Sequence, residues 1–147
     1  EGFSQVFNKR AWLDKVKMET ALAGYTASEV HCMEFIGKHT DPNVTKMAEA
    51  MYMTRGAISK LTKKMVKKGY IESYQKAENK KEVYFKLTAE GQRVFAIHEQ
   101  LHKEFEDRDA IVFEPITDEQ YDAFLKFLAR YNQHLDQEIK KQGLTIN

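Results

Sequence analysis

Apolar positions recur along most of this chain at helical spacing, in stretches separated by short polar breaks. "TASE" at 26–29 has the form of a capping box, and the stretch after it carries Val30, Met33 and Ile36 on one side. "HTDPN" at 39–43 interrupts that helix. A short one is predicted from near Thr45, with Ala48 and Met51 inward, ending around Tyr52–Met53. Thr54 is placed to cap the next, whose apolar positions are Ile58, Leu61 and Met65 and which Gly69 terminates. Residues 45–69 therefore read as two helices joined by a tight turn.

The period then changes from helical to alternating. "YIESYQK" (70–76) and "EVYFKLT" (82–88) read as strands, the second with Val83, Phe85 and Leu87 on one face and Tyr84, Lys86 and Thr88 on the other. The polar, charged "AENKK" (77–81) between them makes a hairpin with a basic tip. A long helix is predicted from about Thr88, with Val94, Ile97, His98, Leu101, His102 and Phe105 on one stripe. Another follows the Thr117–Gln120 box, its apolar side formed by Tyr121, Phe124, Leu125, Leu128, Leu135 and Ile139. A less regular helix is expected from about Phe3 to Leu22. The fold class is mainly α with a small β-hairpin.

At 147 residues the chain suits one domain with one sizeable core. No apolar run approaches the roughly 18–20 residues of a membrane span. The lone Cys32 precludes an internal disulfide and fits a reducing compartment, so a cytoplasmic protein is expected. On so apolar a helix Cys32 reads as a small buried hydrophobe. Net charge is only +1, but the charge is segregated. Nine Lys/Arg lie between Thr54 and Lys81 against two acids, and nine acids lie between Glu99 and Asp122 against two bases. A basic middle suits a polyanion, and the acidic stretch belongs on a surface facing away from it.

Two helices with a tight turn, followed at once by a basic hairpin, make a winged helix-turn-helix. Its second helix enters the major groove, with residues of its first turns reaching base edges. Those residues are Thr54, Arg55, Gly56, Ser59, Lys60 and Lys63, with Thr45 at the head of the first helix. Arg55 suits bidentate guanine readout, and Gly56 lets backbone come close. Lys64, Lys67 and Lys68, farther along, suit phosphate or water.

The segments "NVTKMAEAMYMTRGAISKLTKKMVKKGYIE" and "AENKKEVYFKLTAEGQRV" resemble the MarR family of bacterial transcription regulators, over about Tyr25 to Phe105. The resemblance implies a single MarR-type domain over 1–147. Residues 26–88 would be the DNA-binding lobe, and 1–25 with 89–147 a helical dimerisation region. It also implies a homodimer with interlocking terminal helices, binding a pseudo-palindromic operator. Two departures stand out: Tyr52 occupies the turn position where the family usually has glycine, and Lys80 and Lys81 stand where the wing tip usually has arginine.

"HEQLH" at 98–102 matches the His-Glu-x-x-His pattern of zinc proteases. A metzincin extension needs glycine and histidine three and six residues beyond the second histidine, and Phe105 and Arg108 stand there. No segment is left for a substrate cleft, so the chain is not expected to be an enzyme, a zinc hydrolase being the remote alternative. His98 and His102, one turn apart, are a ready pair for zinc. The family's zinc-uptake repressors place two histidines at this spacing on this helix and a third where His31 falls; their fourth ligand, an acid, aligns with Leu13, beside Asp14. Its fatty-acid-synthesis repressors carry a similar trio and respond to acyl chains. His31, His98 and His102 therefore mark an effector region, with zinc favoured over an acyl or aromatic ligand.

Overall fold

A computed structural model describes residues 1–143; the last four positions of the expected helical region, 144–147, lie outside the described residues. The elements are α1 (Gly2–Ala21), α2 (Ala27–Lys38), α3 (Val44–Met51), α4 (Arg55–Lys67), β1 (Ile71–Lys76), β2 (Asn79–Leu87), α5 (Ala89–Phe113) and α6 (Asp118–Lys141). Threonine hydroxyls satisfy the first free amide donors of four helices. Thr26 accepts from the amide of Glu29 while the Glu29 carboxylate accepts from Thr26, completing the capping box. Thr54, Thr88 and Thr117 cap α4, α5 and α6 in the same way.

The α3–α4 turn passes through Tyr52, whose φ of 51° and ψ of 43° lie in the left-handed region. A side chain there costs roughly 1–2 kcal/mol, and the turn holds it because the amide of Met53 donates to the carbonyl of Ala48 at 3.1 Å. Tyr52 thus adopts the left-handed conformation that a glycine would reach without that cost.

β1 and β2 pair antiparallel, from Ile71 opposite Leu87 to Tyr74 opposite Tyr84, with an irregularity before Lys76. The hairpin differs from expectation in two ways. β2 begins at Asn79, so the connection shrinks to 77–78 and Lys80 and Lys81 lie on the strand. The simple alternation also fails: Tyr84 is 7% exposed and Val83 is 42% exposed. The reason lies across the chain. Asn43 bridges to Tyr84, and the amide of Phe85 donates to the carbonyl of Pro42 at 3.0 Å. The segment before α3 thus covers that face of β2, while the Tyr74 ring packs 5.6 Å from that of Tyr84.

Met33, Met47, Ile58, Met65 and Val94 are fully buried and, with Ile71, Phe85, Leu101 and Phe105, form the core beneath the helix pair and the wing. Cys32 is inside it, and burial pushes its thiol up to about 12. α1 and α6 bury none of their residues. No helix among the described residues is long and apolar enough to cross a membrane.

Candidate nucleic-acid interface and histidine cluster

Thr54 uses its hydroxyl to accept from the amide of Ala57 at 3.1 Å, so it fixes where α4 begins. Arg55, Gly56 and Lys60 are exposed on the first turns, Lys63 follows, and Ser59 is half-buried. Thr45 is exposed on the first turn of α3. Lys80 and Lys81 are exposed at the start of β2.

Ion pairing sorts the basic residues of this region. Lys64 and Lys68 both reach the fully buried carboxylate of Glu29, at 3.2 and 2.8 Å. Lys76 pairs with Asp41 at 2.5 Å, and Asp41 also accepts from the hydroxyl of Tyr74. Lys86 pairs with Glu72. Among the described residues, Arg55, Lys60, Lys63, Lys67, Lys80 and Lys81 take part in no ion pair. The bases near the start of α4 and at the wing are thus left without a carboxylate partner among the described residues, whereas Lys64 and Lys68 fasten α4 to α2. That second role was not legible from the lysine run, because the partner lies thirty-nine positions away from Lys68.

Burial alone would raise the pKa of Glu29, but hydrogen bonds from Lys68, the Thr26 amide and Lys64 hold it at about 2. On the wing side, the side-chain amide of Asn43 donates to Glu82 at 3.0 Å, tying the approach to α3 to the base of β2.

The histidines lie where α2 packs on α5. Nε2 of His98 and Nε2 of His102 are 3.1 Å apart. Two nitrogens bound at 2.0–2.1 Å to one tetrahedral zinc would be about 3.3 Å apart, so this pair fits a shared ion. His98 is 2% exposed, and burial lowers its pKa, leaving it neutral and able to ligate. His31 is exposed, with its ring centroid 6.0 Å from that of His98. The tighter group is different from the expected trio: ligand atoms of Glu34, His98 and His102 lie within 4.8 Å of one another. Glu34 follows His31 by three positions on α2, one turn along the same face, which is the signal that sequence reasoning passed over.

Around this group the lining is charged. Lys38 donates to Glu34 at 2.7 Å and reaches Glu99, the glutamate of "HEQLH", at 2.8 Å. Glu99 is therefore engaged by an ammonium. An open cleft of about 750 Å³ runs past Glu34, Lys38, Glu99, His102 and Asp107. Asp14, the acid beside the fourth aligned position, pairs with Arg108 at 2.8 Å, and Leu13 is 55% exposed.

A helix pair with an uncompensated basic edge and a paired-strand wing defines the class as a winged helix-turn-helix regulator. The model of the MarR family matches residues 25–83. The HTH-type transcriptional regulator PchR of Bacillus subtilis (strain 168) is 37% identical over 111 residues, which are 76% of this chain and 66% of PchR. The uncharacterized HTH-type regulator YhjH of the same organism is 34% identical over 95 residues, 65% of this chain and 54% of that protein. The chain thus spans between about half and two thirds of the length of these relatives. Among solved structures, Streptococcus pneumoniae FabT in complex with DNA matches with a TM-score of 0.76 at 21% identity, over 93% of this chain and 94% of FabT. The zinc-responsive MarR family member ZitR of Lactococcus lactis matches with a TM-score of 0.59 at 18% identity, over 77% and 78%. The chain belongs to the MarR family. The relatives it matches are transcriptional regulators and not enzymes.

Proposed function

We propose that this chain is a homodimeric repressor that binds a pseudo-palindromic operator and whose affinity for it is set by a divalent cation, zinc by preference, at the α2–α5 contact. The observation that carries DNA binding is the sorting of the basic residues: Arg55, Lys60, Lys63, Lys80 and Lys81 are exposed and, among the described residues, unpaired, while Lys64, Lys68, Lys76 and Lys86 are spoken for. Unpaired cations on a groove-sized helix and wing match the regular anions of a duplex.

Dimerisation is supported by the surfaces left open. Phe7 and Trp12 of α1, Ile111 of α5, and Phe124 and Leu125 of α6 are all between 46% and 75% exposed. Monomers seldom present so continuous an apolar surface to water, and a second copy covering it sets two recognition helices on one duplex.

For the effector, the 3.1 Å spacing of the His98 and His102 nitrogens supports a cation. The charged lining of the adjacent cleft suits an ion better than an acyl or aromatic chain. His31, on α2, and the pair on α5 would bring the DNA lobe and the long helix into one arrangement when all three ligate. The two recognition helices would then stand near the roughly 34–36 Å that successive major grooves require. The test is operator affinity by fluorescence anisotropy, in chelator and in buffered zinc. Wild type should tighten with zinc, and His98→Ala with His102→Ala should bind alike in both. A wild-type affinity unmoved by zinc would dismiss the cation and leave the acyl or aromatic reading.

A further inference from the structure

On the reading that His98 and His102 bind a divalent cation, we propose that Glu34 is the positioning carboxylate for His98, and that Lys38 competes for it and so weakens cation binding. The orientation of the rings assigns the roles. Nε2 of His98 faces Nε2 of His102, so it is the nitrogen available to a shared ion. Nδ1 of His98 is buried and has no hydrogen-bond partner among the described residues. The nearest acceptor is Oε2 of Glu34, at 3.9 Å. That is too long for a hydrogen bond, and a movement of about 1 Å would make one.

An imidazole that ligates through Nε2 must carry its proton on Nδ1, and a buried N–H without an acceptor is destabilising. A carboxylate accepting that proton fixes the tautomer, holds the ring in place and makes Nε2 a better donor. Glu34 is on the correct side of the ring to do this. What keeps it away is Lys38, whose ammonium donates to the other oxygen of Glu34 at 2.7 Å. Lys38 also adds a positive charge close to the place a cation would take. It does not become stranded if Glu34 turns to His98, because Glu99 still holds it at 2.8 Å. Glu34 shares α2 with Glu29, which grips Lys64 and Lys68 of α4.

The experiment titrates zinc ion against a chromophoric chelator in the purified full chain at neutral pH, alongside NMR of the His98 ring. Glu34→Leu should weaken zinc binding about 10–100-fold and speed exchange of the Nδ1 proton, and Glu34→Gln, which keeps an acceptor oxygen, should recover part of both. Lys38→Gln should tighten binding about tenfold, the reverse of what removing an ordinary structural ion pair does. In a Glu34→Leu background Lys38→Gln should tighten binding much less than it does alone, leaving only the loss of the Lys38 charge itself. Histidine-dependent zinc binding that neither Glu34→Leu nor Lys38→Gln alters would overturn the relay and leave the cation site standing. Loss with Glu34→Gln as complete as with His98→Ala plus His102→Ala would also overturn it, by making Glu34 a direct ligand. Zinc binding indifferent to that histidine pair would remove the cation site itself, and the relay with it.

Discussion

The carbonyl oxygen of Tyr70 lies only 2.2 Å from where a Cβ on Gly91 would be. Tyr70 opens the wing and Gly91 sits in the first turn of α5, so this approach is where the DNA lobe is joined to the long helix. The carbonyl cannot retreat easily, because the amide of Thr88 donates to it at 3.1 Å and the Thr88 hydroxyl is shared between it, at 2.9 Å, and the carbonyl of Gly69, at 2.7 Å. The "LTAEG" segment is therefore a joint in which threonine ties off the strand and glycine leaves room for it.

Gly91→Ala is expected to destabilise the protein by about 1–3 kcal/mol, since the added methyl overpacks against fixed backbone. Gly37→Ala is the control. The nearest atoms its Cβ would meet belong to the side chain of Phe95, at 3.0–3.1 Å, and not to fixed backbone. Urea denaturation at one fixed protein concentration should therefore separate the two clearly, and equal small effects would discount the joint.

Gly56 is the opposite case. A Cβ there would meet nothing closer than the Thr54 hydroxyl at 4.0 Å, so nothing within the chain needs a glycine. Gly56→Ala should raise stability by roughly 0.5–1 kcal/mol through helix propensity. On the proposed reading it should also lower operator affinity, because the residue would face the groove where backbone approaches DNA. A variant both more stable and equally tight on DNA would remove Gly56 from the interface.

Local chemistry was the legible part of this sequence. The caps at Thr26, Thr54, Thr88 and Thr117 depend on residues three positions away, and each forms as its spacing implies. The stripes of α2 and α5 were readable for the same reason. What was hidden depends on contacts across the chain. Tyr84 is buried because residues 42–43 pair alongside β2, which no alternation rule within 82–88 contains. Lys64 and Lys68 look like free lysines until Glu29 is placed beneath them. Glu34 and Lys38 stand on the exposed-looking side of α2, and only the packing of α5 brings His98 to them.

Glu29 makes a prediction about pH. Its folded-state pKa of about 2 lies below the ordinary 4.5, so its contribution is present above about 4.5 and is lost as pH falls toward 2. The size is about 3 kcal/mol at neutral pH. Glu29→Gln keeps an oxygen for the Thr26 amide but abandons the charge. The stability gap between wild type and Glu29→Gln, from denaturation at several pH values, should be widest at pH 7, narrow as pH falls below about 4.5 and close only toward pH 2. A gap that stays constant would show that the ion pairs to Lys64 and Lys68 contribute nothing.

The roles of the exposed bases are separable on DNA. Arg55→Ala should cost about 1–3 kcal/mol and relax preference at one base pair in each half-site. Lys80→Ala with Lys81→Ala should weaken all sequences alike and flatten the salt dependence, by about 0.9 in log–log slope for each phosphate that is no longer neutralised. A fall in affinity that leaves slope and sequence preference untouched would mean these side chains act on the fold instead.

Whether two copies of this chain read duplex DNA symmetrically is decided by selecting bound sequences from random duplexes. A symmetric pair should enrich a pseudo-palindrome whose half-sites are centred about 10–10.5 base pairs apart. No enrichment, or a single half-site without its inverted partner, would contradict it.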